Sequence, residues 1–164
     1  MSTIYLDKHL IHNSSMACFL LTFFIEEYCR ENSENPIDLP KLLLVLPIVW
    51  NEAARKTLAT RNTRSNALSI IREYPILKVD LAIRVQAHTA TTFQGLNLAK
   101  SAKLVQTHSE VNGDSTFSRT NTRWPKGTKP LLPDEMLKTT RQLAIWFSTV
   151  PTEILYRLFF GIKK

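Results

Sequence analysis

The chain reads as a mainly α-helical single domain carrying one small β-hairpin, and three observations predict it. Apolar residues recur at helical spacing through most of the chain. The period changes once, where "KLVQTHS" and "STFSRTN" flank Asn112-Gly113. With 164 residues, 44% of them hydrophobic and only 4 glycines, the chain has enough to bury one core.

The N-terminal stretch 1–12 is polar and is expected to be flexible. Asn13 or Ser14 then caps a helix running to about Asn32, because a short side-chain oxygen can accept from an otherwise unpaired first-turn amide. Phe19, Leu20, Phe23, Phe24, Ile25 and Tyr28 make nearly its whole circumference apolar, so other elements must surround it. Its apolar part, Met16 to Ile25, spans ten residues before Glu26 and Glu27. A bilayer crossing needs roughly 20, so this is a core helix. The polar leader also lacks the basic start and small-residue cleavage site of a signal peptide.

"ENSENPIDLP" is a turn. Residues 40–46 form a short helical or extended piece, and Pro47, comfortable in a first turn, starts a helix to about Thr60. That helix turns Ile48, Ala54 and Leu58 inward and Glu52, Arg55 and Lys56 towards solvent. Ser65 caps a third helix that stops before Pro75, since the residue preceding proline avoids helical angles. Two helices follow, about 76–87 and 90–100, joined near His88 and Thr89. The hairpin comes next, its turn at Asn112 and Gly113, both of which accept positive φ. Residues 122–133 hold three prolines and form a loop. Asp134 and Glu135 open a helix in which their charge suits the dipole, and a last helix runs from Pro151 to Gly161. Three short helices before a hairpin is the order of a winged helix, so 63–121 is a winged-helix-like segment or a helical stretch with an incidental hairpin.

The net charge of +7 is uneven. Residues 1–40 carry two basic and six acidic side chains, the remainder nineteen and eight. Two runs are basic with no acid among them. The first holds Arg55, Lys56, Arg61, Arg64 and Arg72; the second holds Arg119, Arg123, Lys126 and Lys129, with Trp124 between. Such residues grip phosphates without reading bases. They equally suit a protein interface, where arginines and aromatics are enriched.

Signs of catalysis are weak. His9 and His12 near Asp7 lack the further ligands of a zinc site. Cys29 with His88 or His108 carries no nucleophile signature, and no phosphate-cradling glycine loop is present. Cys18 and Cys29, eleven residues apart on one helix, stand about 16 Å apart at a rise of roughly 1.5 Å. That exceeds a disulfide's reach, so reduced buried thiols in a cytoplasmic protein are expected. No catalytic residue, metal or cofactor is expected.

Several segments together resemble the middle component of bacterial ABC three-component conflict systems, which includes the small subunit of Lamassu defence systems. They are "NSSMACFLLTFFIEEYC", "KLLLVLPIVWNEAARKTL", "DLAIRVQAHTATTFQGLNLAKSAKLV" and "LAIWFSTVPTEILYRLFFGIKK". Gln94-Gly95 and the bulky "FFGIKK" depart from the family's usual pattern. The resemblance implies a non-catalytic adaptor in an anti-phage or anti-plasmid complex, binding an SMC/Rad50-like ATPase and an effector such as a nuclease, with DNA reached through the complex and no membrane. On it, Arg55, Lys56, Arg61, Arg64, Arg119, Arg123, Trp124, Lys126 and Lys129 are candidate contacts to partner or DNA. The runner-up is a stand-alone winged-helix DNA-binding regulator whose duplex binding weakens on Arg119→Ala or Arg123→Ala. A hydrolase using His108 comes third.

Overall fold

The computed structural model describes residues 13–62 and 65–161. The N-terminal stretch, the His9–His12 pair and Arg64 lie outside the described residues.

Helix α1 (Ser14–Glu31) is the axis of the molecule. Asn13 caps it, its side-chain oxygen accepting from the Met16 amide at 2.9 Å. Buried residues run right round it, from Ala17 and Cys18 through Leu20, Leu21 and Phe24 to Tyr28 and Cys29. It ends at a reversal in which Ser33 and Glu34 both take left-handed backbone angles, and the Glu34 amide returns to the Cys29 carbonyl at 2.7 Å.

Next come β1 (Ile37–Asp38), α2 (Leu39–Leu43) and α3 (Val45–Val49). The sequence places a helix start at Pro47; the structure instead puts Pro47 third in α3 and begins a separate helix, α4 (Glu52–Ala59), after Asn51. First-turn amides have no acceptor within a helix, so a proline there forfeits no hydrogen bond. The break falls at Asn51, whose extended backbone and side chain cap the Ala54 amide at 2.9 Å. Asn66, rather than Ser65, caps α5 (Ala67–Glu73) through the Leu68 amide.

A 3₁₀ turn (Pro75–Leu77) leads into α6 (Leu81–Ser101), which is one unbroken helix where the sequence predicts two. The residues read as a joint are satisfied inside it. His88 Nδ1 lies 2.6 Å from the Arg84 carbonyl, and Thr89 donates its hydroxyl to the Val85 carbonyl at 2.7 Å. Polar side chains that fold back one turn can remain mid-helix. Segment 63–121 thus holds one short helix, one turn and one long helix before its hairpin.

Strands β2 (Val105–Ser109) and β3 (Ser115–Arg119) form that hairpin. Only Gly113 takes positive φ, at +86°; Asn112 does not. The Gly113 amide bonds the Glu110 carbonyl at 2.9 Å and the Glu110 amide bonds the Asp114 carbonyl at 2.8 Å. This is a three-residue loop with glycine at its left-handed position. The short β1 adds to β3, Ile37 opposite Phe117, giving a three-stranded antiparallel sheet in the order β1-β3-β2. The predicted loop 122–133 contains a single helical turn, α7 (Thr128–Leu131), before α8 (Asp134–Thr149) and α9 (Thr152–Phe160). Gly161 ends α9 at φ +63°, as the sequence predicts.

α1 packs chiefly against α6 and α8, with β3 on a further side. Phe24 meets Phe147 edge-on at 5.8 Å, and Phe147 meets Phe159 at 6.4 Å. Burying such a side chain contributes about 1.5–3 kcal/mol. Both cysteines are free and buried, and burial pushes both thiols up.

Candidate functional site

Folding brings an acid to each run that looked acid-free along the chain. In the second run the acid is Glu26. Its Oε2 accepts from Trp124 Nε1 at 2.8 Å and Arg119 Nε at 3.1 Å, and its Oε1 accepts from Lys129 Nζ at 3.3 Å. Arg119 spends its remaining nitrogens on carbonyls, Nη1 on Leu104 at 2.7 Å and Nη2 on Thr122 at 2.8 Å. Lys129 and Arg119 also lie over the Trp124 ring, at 4.9 and 5.4 Å from its centre. Trp124 thereby anchors the 122–133 segment on α1, packing beside Phe19 at 6.0 Å. Burial pushes the Glu26 carboxyl up, but the bonds from Trp124, Lys129 and Arg119 outweigh it and hold the group below its ordinary value. Arg123 and Lys126 stand exposed outside this knot.

In the first run, Arg55 is a correction to the expected solvent-facing position. It is buried, because its guanidinium turns back to donate Nη1 to the Val49 carbonyl at 2.8 Å, which closes the open end of α3. Its Nε also lies 3.8 Å from Glu135. Lys56 pairs with Glu52 at 2.6 Å on the same helix. Arg61 lies 4.5 Å over the Tyr74 ring and edges a groove of about 770 Å³ between α4 and α8. Asp134 and Glu135 line that groove beside Lys138 and Arg141, so its charge is mixed rather than anionic-ligand-like. The two runs are thus not one continuous basic face built from all the predicted residues.

Among the described residues no group of three His, Cys, Asp or Glu side chains could hold a metal ion, and no helix is long and apolar enough to cross a membrane. His108 Nε2 meets Ser118 Oγ at 2.8 Å on the exposed sheet face, and Gln106 donates to the same hydroxyl at 3.1 Å. His88 is elsewhere, buried against Trp50 at 5.7 Å.

No curated protein and no solved structure matches the chain. Residues 4–164 match the family of the ABC-three component (ABC-3C) system Middle Component 3. The chain belongs to that family.

A middle component of a multi-component system has protein partners, which directs attention to surfaces without charge. The chain presents one along α6. Ile83, Ala87, Ala90, Phe93, Gln94 and Leu98 are all exposed, Ile83 at 65% and Phe93 and Leu98 each at 42%. At about 100° per residue they fall within roughly 140° of the helix circumference, over about 22 Å of its length. No charged residue is exposed on α6 between Ile83 and Leu98. Ile76 and Val79, in the turn leading into the helix, are exposed as well. Reading the sequence for basic runs missed this face. Its signal was present in "IRVQAHTATTFQGLNLA", which has a single charged residue, Arg84.

Arg84 belongs to the fold. Its Nη1 donates to the Pro47 carbonyl, and its Nη2 to the carbonyls of Val79 at 2.9 Å and Leu77 at 3.4 Å. It ties α3, the 3₁₀ turn and α6 together and so sets the position of the uncharged face.

Proposed function

We propose that the protein is a non-catalytic adaptor in a cytoplasmic anti-phage or anti-plasmid complex of Lamassu type, holding an SMC/Rad50-like ATPase and an effector such as a nuclease together. Membership of the middle-component family carries this reading. The uncharged α6 face supports it, since protein interfaces have cores depleted in charge and enriched in aromatic residues. Arg123 and Lys126, exposed and outside the Glu26 knot, are the basic residues best placed to reach DNA held by the complex.

The reading is tested by co-expressing the tagged chain with the ATPase and effector encoded beside it. Recovery of all three in one complex is expected. A chain that purifies alone while both neighbours are soluble and abundant overturns the proposal.

A further inference from the structure

Folding joins two acid-free stretches that lie apart in the chain. Residues 100–109 and 115–133 contain no Asp or Glu, and they hold Lys100, Lys103, Arg119, Arg123, Lys126 and Lys129. Val105 stands opposite Arg119 in the hairpin ladder. Just beyond, Thr120 bonds back to the end of α6, its amide to the Leu104 carbonyl at 3.1 Å and its hydroxyl to the Lys103 carbonyl. The Lys103 amide in turn bonds the Lys100 carbonyl at 2.9 Å. Lys100 and Lys103, which belong to neither basic run, thus stand beside the start of the segment that bears Arg123 and Lys126. All four side chains are exposed.

The carboxylates that this surface does meet are already paired. Glu26 is met by Arg119, Lys129 and, at 3.8 Å, Arg30; Glu27 is met by Arg30 and Arg141. The Glu26 and Glu27 side chains are only 19% and 6% exposed, against 56% for Arg30 and 43% for Lys129. The knot therefore turns its carboxylates inward and its cations outward. Glu110 and Asp114 sit at the other end of the hairpin, about 17 Å of strand away at roughly 3.4 Å per residue.

We propose that this face, Lys100 and Lys103 at the end of α6 with Arg123 and Lys126 of the 122–133 segment, binds the phosphate backbone of duplex DNA. Its composition selects that ligand. Lys100, Lys103, Lys126 and Lys129 outnumber Arg30 and Arg123 on it, and lysine is depleted at protein interfaces but suits phosphate contacts. Ser101, Asn121 and Thr122 are exposed among them, the small polar side chains that accompany Lys and Arg on phosphate oxygens. A single strand would need an aromatic platform on which its bases stack. Trp124 is not free for that, since its Nε1 is held by Glu26 and its ring lies against Lys129, Arg119 and Phe19. The contact is directed at the backbone and is indifferent to base sequence. It deepens the adaptor reading at its DNA end and rests on it. Because it is measured on the chain alone, its failure is distinct from a failure of the complex to assemble.

The test is the fluorescence anisotropy of a labelled duplex of arbitrary sequence, titrated with the full chain between about 50 and 200 mM salt. Four neutralised phosphates give a logarithmic salt slope of about −3.6, so binding is expected to weaken roughly 100-fold over that range. Lys100→Gln with Lys103→Gln, and Arg123→Gln with Lys126→Gln, should each lower the slope by about 2 with an unchanged circular dichroism spectrum. Arg72→Gln with Arg157→Gln removes the same charge from α5 and α9, beside the exposed Glu73 and Glu153, and should leave the slope as it is. Absence of duplex binding at the lowest salt, a slope that either of the first two pairs leaves unchanged, or a slope that the Arg72 and Arg157 pair lowers equally overturns the proposal. So does tighter binding to a single strand of the same length, which would point to base stacking. Tighter binding to polyglutamate overturns it as well, in favour of an acidic protein.

Discussion

Gly95 of α6 faces Ala17 of α1 so closely that a Cβ on Gly95 would lie 2.9 Å from the Ala17 Cβ. It would also lie 3.0 Å from the Ala17 carbonyl carbon and the Cys18 amide nitrogen. Two of these three neighbours are backbone, which cannot rotate away. Glycine here lets the two longest helices touch along their backbones.

Gly95→Ala is therefore expected to destabilise the fold although alanine is the better helix former. The helix gains about 1 kcal/mol of propensity. Overpacking a closed contact costs typically 1–3 kcal/mol, more where backbone must move. Chemical denaturation should show a net loss on the order of 1–2 kcal/mol, partly restored by adding Ala17→Gly, which removes the shortest contact. A variant as stable as the native chain would show that separating α1 from α6 costs no more than the roughly 1 kcal/mol of helix propensity that alanine adds.

Glu26 gives the chain a definite acid response. Its pKa is lowered on folding, so its contribution is fully present above the ordinary 4.5 and is lost as pH falls through the lower folded value. Glu26→Gln removes the anion shared by Trp124, Arg119 and Lys129 and should cost about 1–3 kcal/mol at pH 7. That gap should shrink as pH falls from about 4.5 through the lower folded value, because the carboxyl is then protonated first in the unfolded chain and afterwards in the folded one. Urea titrations of both proteins at pH 7 and pH 3 measure it. A gap unchanged at pH 3 would mean that the ionic bonds contribute nothing and packing everything.

The sequence carries the elements whose signals are local and loses those made by meetings at a distance. α1, α8 and α9 are legible because Asn13, the Asp134-Glu135 pair, Pro151 and Gly161 mark their ends within a turn. The hairpin is legible because Gly113 sits between two strand-like runs. β1 is not, since its two residues become a strand only when β3 is beside them. The continuity of α6 is not, because polar His88 and Thr89 are satisfied by carbonyls one turn back and look from the chain like a break. The Glu26 knot is the clearest loss, for it joins α1 to a lysine 103 positions later. Two charged residues closing an apolar helix hinted that cations would come to them, but not which ones.

Arg119 and Arg123 lie four residues apart in one basic run, yet they should behave differently on truncation. Arg119→Ala leaves Glu26 short of one cation and the Leu104 and Thr122 carbonyls short of a donor. A loss of about 2–3 kcal/mol is expected, with earlier proteolysis of the 122–133 segment. Arg123→Ala removes an exposed side chain, and a change within about 0.5 kcal/mol is expected. Any effect of Arg123→Ala on DNA retention by the assembled complex can then be read as a contact. An equal effect of Arg119→Ala on DNA retention, at unchanged stability, would move Arg119 from the fold to the binding surface.

The α6 face yields the sharpest separation of folding from assembly. Ile83 and Phe93 are exposed, so Ile83→Glu and Phe93→Glu cost the isolated chain little, within about 0.5 kcal/mol each. A carboxylate in the centre of a partner interface would instead be buried without a counter-charge, which costs several kcal/mol. Co-expression of the double variant with the ATPase and effector should give a folded chain that has lost at least one of them. Glu31→Lys, which reverses an exposed charge on α1, serves as the control and should retain both. If the double variant still carries both partners at native stoichiometry, the α6 face is not where they bind.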